Sequence, residues 1–260
     1  MAFWRLFGLQ TKYSEEVLMR VAVTLAYNGT HYFGSQIQKE ISPTVFGEIE
    51  AALLKLGIDQ RVVVSGRTDK GVHATGQVCH FDLPLYWNNI QKLHHVLNCM
   101  LPSSIRVIKI QQVTKDFHAR YSTKRRVYRY IFKAAPLSPF EADFVTELKT
   151  PLSIEEFNEK MQLFCGEHDF KNFKKNGSDE KTTRRIIYKA FAYKHKGYII
   201  LNFEANGFLR SQIRMMVGSL LKLTPKQIEE KLTNKNYKID SAKPNGLYLA
   251  KIKYEKDLYV

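Results

Sequence analysis

Cysteine is scarce in this sequence. Cys79, Cys99 and Cys165 are all that 260 residues contain, widely spaced, odd in number and without a CxxC pair. That pattern argues against a disulfide framework and a zinc ribbon, and leaves reduced, mostly buried thiols of a cytoplasmic protein as the expectation. Long apolar runs are missing too, since none approaches the roughly 18 residues that a membrane span needs. The first residues, MAFWRLFGLQTKYSEEV, begin apolar but turn polar and acidic without a small-residue cleavage site, so they do not read as a secretory signal. Residues 1–18 are expected to be an extension ahead of the first strand, with Met19 as an alternative functional start. Carboxylates are the third shortage. Against 25 Asp and Glu stand 40 Lys and Arg, a net charge of 40 − 25 = +15, with a pI near 9.6. Such an excess points first to nucleic acid, although a basic ribosome-associated or anionic-lipid-binding protein would share it.

Hydrophobic residues at 44% and aromatics at 12% describe a chain that folds. RVAVTLAY (20–27) reads as a buried strand, and TVFGEIEAALLKLG follows as a helix with Val45, Phe46, Ile49, Leu53 and Leu56 on one face. RVVVSG (61–66) and QVCHFDL (77–83) are two more strands, NNIQKLHHVLNCML is a helix, and IRVIKIQQV (105–113) is a strand. The second half repeats that order. VYRYIFKA (127–134) is a strand, and SIEEFNEKMQLFCG is a helix with a capping box from Ser153 to Glu156. RRIIYKAFAY and GYIILNFEAN form a hairpin around His195, Lys196 and Gly197. LRSQIRMMVGSLLKL and TPKQIEEKL are helices, and GLYLAKIKY (246–254) closes with a strand. The expected fold class is α+β: two ferredoxin-like, RNA-recognition-like β-α-β-β-α-β modules whose antiparallel sheets adjoin around a basic central cleft. The boundaries read as 1–18 for the extension, 19–114 for the first module and 115–260 for the second.

One carboxylate stands out against this basic background. SGRTDKGVHA (65–74) sets Asp69 between Arg67 and Lys70 in the connection between two strands. Asp and Gly together suit a tight turn. An extended 66–70 would also put Arg67 and Asp69 on the same side, the guanidinium flanking an anion that suits a nucleophile or base better than a phosphate site. FHARYSTKRRVYRYIF (117–132) interleaves Arg and Lys with Tyr121, Tyr128 and Tyr130, the composition that stacking plus phosphate contact requires. In ANGFLRSQIRMMVGSLL (205–221), Arg210 and Arg214 fall at i, i+4 of a helix. Three functions fit: an enzyme built around Asp69, a catalytically silent RNA-binding protein, or a metal-dependent nuclease using Asp69, His73, His80 and Asp82.

GRTDKGVHA, FHARYSTKRRVYRY, GEHDFKNF, ANGFLRSQIRMMVGSLL and PNGLYLAKIKY occur in the order seen in TruA-type tRNA pseudouridine synthases, and YNGTHYFGSQIQ resembles the N-terminal motif of that family. The resemblance covers about residues 19–255. It implies an isomerase that converts uridine to pseudouridine at positions 38 to 40 of the anticodon stem-loop of tRNAs, in the cytoplasm, as a homodimer, with no metal or organic cofactor and no membrane partner. Asp69 is then the nucleophile. Tyr128 packs against the target base, Arg67 helps displace the target nucleotide, Arg214 pairs with Asp69, and Leu247 lines the apolar side of the pocket. The sequence departs from the family at Ser35, where Trp is usual, and at Asn28, where Asp is commoner.

Overall fold

The computed structural model describes residues 19–38, 42–149, 152–175, 177, 181–233 and 235–260; the extension expected over 1–18 lies outside them. In the first half the chain forms β1 (Met19–Tyr27), α1 (Val45–Lys55), β2 (Val63–Val64), β3 (His73–Leu83), α2 (Ile90–Met100) and β4 (Ile105–Gln112). The second half forms β5 (Arg125–Ala134), β6 (Thr146–Leu148), α3 (Ile154–Gln162), β7 (Gly166–Asp169), β8 (Arg184–His195), β9 (Tyr198–Ala205), α4 (Gln212–Lys222), α5 (Pro225–Thr233) and β10 (Leu247–Lys253). All ten strands belong to one sheet, ordered β4-β1-β3-β10-β5-β9-β8-β7, with β2 paired to β3 and β6 to β5. Among the described residues, the result is a mixed α+β fold with one large sheet and five α-helices. The halves meet where β10 runs parallel to the start of β3, Tyr248 opposite His73 and Leu249 opposite Ala74.

Local chemistry accounts for most of these elements. Thr44 caps α1 by accepting from the Gly47 N–H, and Ser153 and Glu156 close the expected capping box at α3 in both directions. The β8–β9 hairpin turns on Lys196 (φ 47°) and Gly197 (φ 83°), a two-residue connection whose left-handed pair matches the twist of the flanking strands. Ile49 and Leu53 of α1, Leu93 and Leu97 of α2, and Ile213, Met216, Val217 and Leu220 of α4 are buried, as their helical spacing predicts. Helices α1 and α2 pack together, as α3 does with α4 and α5. One apolar core then runs from Val21 and Leu25 through Tyr128 and Tyr130 to Phe203 and Leu249. Among the described residues, no helix is long and apolar enough to cross a membrane.

Several boundaries differ from the expectation. β3 begins at His73 rather than at 77, because β10 supplies a partner for HATG, a stretch with little apolar alternation of its own. β7 has no counterpart among the expected strands: GEHD (166–169) pairs antiparallel with Arg184–Ile187 of β8. Helix α4 starts at Gln212, since Ser211 takes a left-handed conformation (φ 57°) that no helix continues. Arg210 therefore precedes the helix and reaches the Gly177 carbonyl at 3.2 Å, so it does not share a helical face with Arg214. Of the thiols, Cys79 is buried, Cys165 half-buried and Cys99 exposed, so the expectation of mostly buried cysteines fails at Cys99, on the outer face of α2.

Candidate active site

The connection between β2 and β3 that carries Asp69 rests on a bed of buried polar groups. Ser65 donates through its hydroxyl to Gln77 Oε1 at 2.6 Å, and Gln77 Nε2 donates to the Gly66 carbonyl at 2.8 Å. Thr68 is gripped from both sides: its N–H donates to Ser35 Oγ at 2.9 Å, and its carbonyl accepts from the Ser35 N–H at 3.1 Å. The Thr68 hydroxyl also shares a 2.8 Å hydrogen bond with Tyr27 Oη. Ser35, Ser65 and Gln77 are fully buried, and burial pushes the Tyr27 phenol up to about 12. Such a network, fully satisfied, fixes a backbone more firmly than apolar packing does. Past it the chain turns through the Val72 N–H to Asp69 O bond (3.1 Å), with Gly71 at φ 75°. Asp69 is thus a turn residue as well as the lone acid. Ser35, at the position where Trp is usual, supplies two bonds that hold the loop.

The Asp69 carboxylate faces the second half of the chain. Its Oδ2 accepts from Ser211 Oγ at 2.8 Å and from Arg214 Nη1 at 3.3 Å, while Oδ1 accepts from none of the described residues. Arg214 is aimed by two further bonds, from Nε to the Ala242 carbonyl at 2.7 Å and from Nη2 to Ser241 Oγ at 3.3 Å. The local reading of Arg67 as the flanking cation is corrected here. Residues 66–69 leave the strand before they reach the turn, and the ion pair forms with Arg214, 145 residues away, while Arg67 stays exposed without a partner among the described residues.

Tyr128 is buried on β5, its ring edge-on to Phe208 with centroids 5.3 Å apart. Burial, chiefly, raises its phenol far above the ordinary range, with the Asp69 charge contributing in the same direction. Its hydroxyl takes no hydrogen bond among the described residues, whereas Tyr130 Oη is committed to Thr146 (2.8 Å) and the Lys243 carbonyl (2.7 Å). Between them Arg129 points to the other face and is exposed. Arg126 lies alongside, its guanidinium donating to the carbonyls of Ser65 (2.9 Å) and Asn206 (3.0 Å) and so tying the Asp69 loop to the loop before α4. A cavity of about 410 Å³ opens beside Asp69, lined by Thr30, Lys70, Gly71, Arg214, Pro244 and Asn245. That volume falls in the range that holds a nucleotide-sized ligand. Lys70 Nζ stands 4.1 Å above the half-exposed ring of Phe33. Leu247 is buried, in register with Tyr130, and does not line this cavity.

The histidines and acid that a metal site would need are engaged elsewhere. His73 Nδ1 accepts from the Gly29 N–H at 3.0 Å, and its Nε2 reaches the carbonyls of Asp143 (3.0 Å) and Asn245 (3.1 Å), bolting the loop to the second half. His80 Nδ1 accepts from the Ala119 N–H at 3.1 Å, and Asp82 is held by Arg20 through bonds of 2.7 and 2.9 Å. Among the described residues, no three His, Cys, Asp or Glu side chains are grouped to hold a metal ion.

The site groups one carboxylate, bonded through one oxygen, with the cations of Arg214 and Lys70 and the buried Tyr128, an arrangement that suits a polyanionic substrate. The chain matches the family described as tRNA pseudouridine synthase over residues 23–122 and 161–255, and it belongs to that family. It is 38% identical over 241 residues to tRNA pseudouridine synthase A of Wolinella succinogenes, covering 90% of this chain and 94% of that protein. It is also 38% identical over 242 residues to the Campylobacter jejuni protein of the same name, covering 91% and 100%. With tRNA pseudouridine synthase A 1 of Bacillus cereus it shares 39% identity over 250 residues, covering 90% and 98%. Among solved structures, a chain of a Cbf5-Nop10-Gar1 complex aligns with 88% of this chain and 48% of its own, at a TM-score of 0.36 and 11% identity.

Proposed function

We propose that this enzyme isomerises uridine to pseudouridine at positions 38 to 40 of the anticodon stem-loop of tRNAs, with Asp69 as the nucleophile. The observation that carries the reading is the Asp69 carboxylate itself, anchored through Oδ2 by Ser211 and Arg214, with no hydrogen bond to Oδ1 from the described residues. Pseudouridine formation breaks the N1–C1′ bond, turns the freed uracil and joins C5 to C1′; C5 loses a proton and N1 gains one, so no atom is gained or lost overall and no cofactor enters. Attack on C1′, addition to C6 of the base and removal of a C2′ proton all start from the same open oxygen. One carboxylate suffices, because uracil leaves as a delocalised anion, whereas a glycosidase must also protonate its leaving group and handle water with a second one. The target base has to leave its stack, at a cost of about a few kcal/mol that backbone contacts offset.

The other residues take roles that their positions support. Arg67, exposed at the loop, fills the space of the displaced nucleotide. Tyr128 packs its ring against the extruded base, and Arg214 orients Asp69. Leu247 backs the apolar wall behind Tyr130. We read residues 19–114 and 115–260 as two ferredoxin-like modules, supported by the strand orders β4-β1-β3-β2 and β10-β5-β9-β8, each of which puts its fourth strand beside its first. We infer a cytoplasmic homodimer, as the resemblance to the family implies.

Mapping pseudouridine in unmodified tRNA transcripts treated with the purified protein tests the reading. Asp69→Asn and Asp69→Ala are expected to abolish the modification while tRNA binding survives. Turnover near the wild-type rate in both variants would exclude Asp69 as the nucleophile. Tight, salt-sensitive binding by the wild-type protein without any change in the RNA would identify a silent RNA-binding protein instead.

A further inference from the structure

Ser211 departs from what its position calls for in two ways. It is the N-cap residue of α4, a place where a serine hydroxyl ordinarily accepts from a backbone N–H of the first turn, yet its side chain makes no capping bond. Its backbone is left-handed (φ 57°, ψ 11°), a region that residues with a Cβ rarely enter. Both departures cost stability, and neither is accidental. Gln212, fully buried, accepts from the Leu209 N–H through Oε1 at 2.8 Å, its own N–H donates to the Leu209 carbonyl at 3.1 Å, and the Met215 N–H closes on the Ser211 carbonyl at 3.0 Å. These bonds clamp the turn 209–212 and hold Ser211 where its hydroxyl donates to Asp69 Oδ2 at 2.8 Å. Strain that its surroundings enforce is a pointer to function when the strained residue touches the reacting group.

We propose that Ser211 is a positioning residue that assigns the two oxygens of Asp69 their separate tasks, Oδ2 as the anchor and Oδ1 as the reacting atom. Arg214 alone does not achieve this. Its Nη1 lies 3.3 Å from Oδ2, while its Nε and Nη2 are committed to Ala242 and Ser241, so the carboxylate held by Arg214 only is free to rotate about its Cβ–Cγ bond. The shorter hydroxyl bond stops that rotation and keeps Oδ2 as the anchored oxygen, leaving Oδ1 unbonded among the described residues. Ser211 contacts neither base nor sugar in this scheme and acts through Asp69. The inference rests on the reading of Asp69 as the nucleophile.

Three variants of the full chain separate the role from a merely structural one. Glycine enters the left-handed region without strain. Ser211→Gly therefore keeps or raises the melting temperature while removing the donor. Its single-turnover rate of pseudouridine formation on a tRNA transcript is expected to fall about tenfold or more, the worth of a hydrogen bond to a charged group, with tRNA affinity within about twofold of wild type. Ser211→Ala loses the same rate but keeps the strain, so it is less stable than Ser211→Gly. Ser211→Asn tolerates the left-handed backbone and presents an amide donor, and it recovers most of the rate. A wild-type rate in Ser211→Gly, a loss confined to tRNA affinity, or an Asn variant as slow as the Gly variant would each overturn the proposal. Asp69→Asn in the same assay keeps the two readings apart: if it turns over, the nucleophile assignment fails and this inference with it; if it is inactive while Ser211→Gly is unimpaired, only the role of Ser211 fails.

Discussion

Arginine at 214 does a job that charge alone would not. One guanidinium bonds the Ala242 carbonyl, Ser241 Oγ and Asp69 Oδ2 at once, so the position of the Asp69 carboxylate is referred to the segment before β10. A lysine ammonium is a point donor on a flexible stem and cannot reproduce that three-way fork. Arg214→Lys is therefore expected to keep the ion pair's charge yet lower kcat about tenfold to a hundredfold, with KM for tRNA little changed. Steady-state kinetics on an unmodified transcript reads this directly, and equal kcat in the variant and wild type would refute it. At this scale sequence is a mixed guide. Asp69 stands out as a lone acid in basic surroundings, and neighbouring Arg67 reads as its partner because local spacing is all that a strand pattern offers. The true partners, Arg214 and Ser211, lie more than 140 residues away and become visible through the resemblance in one case and the backbone angles in the other.

Among the elements, β3 carries the main pH sensitivity. Its His80 is buried and accepts from the Ala119 N–H, an arrangement open only to the neutral ring. Burial, above all, with the nearby Arg20 and His118 adding, pushes His80 down to about 4, against the opposing pull of Asp82. His73, at the head of the same strand, is lowered as well, again mainly by burial and despite the carbonyls of Asp143 and Asn245. With folded values below the unfolded 6.5, the unfolded chain binds more protons between those limits. Stability is then complete above about pH 6.5 and declines as pH falls toward 4. For His80 the loss at pH 5 is on the order of 2 kcal/mol. His80→Asn, whose side-chain carbonyl can accept from Ala119 without titrating, is expected to flatten the difference between urea midpoints at pH 7 and pH 5; an unchanged difference would remove His80 from the account. Which elements sequence reveals follows from how local their causes are. α1 and α3 announce themselves by apolar spacing and caps, and the β8–β9 hairpin by its Lys-Gly turn. The start of β3 and all of β7 stay hidden, because HATG and GEHD become strands only by pairing with β10 and β8.

For the molecule as a whole, the decisive contact is the parallel crossing of β3 and β10, since it sets Asp69 of the first half against Tyr128, Ser211 and Arg214 of the second. The β-α-β-β-α-β order of the first half is readable along the chain, whereas the second half adds β6 and β7, and the way the halves join in one sheet depends on contacts that include a close approach at Gly76. A Cβ on Gly76 would lie 2.4 Å from the Ala250 carbonyl, on the backbone of β10, and backbone cannot swing aside as a side chain can. Gly76→Ala must push the two strands apart and with them the halves of the active site, at a cost of about 1–3 kcal/mol in stability. Catalysis should suffer more than folding, because a misplacement of about 1 Å between a nucleophile and its target can cost about a hundredfold in rate. Gly197→Asn supplies the control: this glycine of the β8–β9 turn is left-handed with open space around it, a conformation asparagine tolerates. The expected pattern is a drop in melting temperature of several degrees for Gly76→Ala and a slight one for Gly197→Asn, a pseudouridine rate near wild type in Gly197→Asn, and a rate at least about tenfold lower in Gly76→Ala at a temperature where both are folded. Equal rates in the two would mean that the β3–β10 crossing holds the sheet together without setting the geometry of the site.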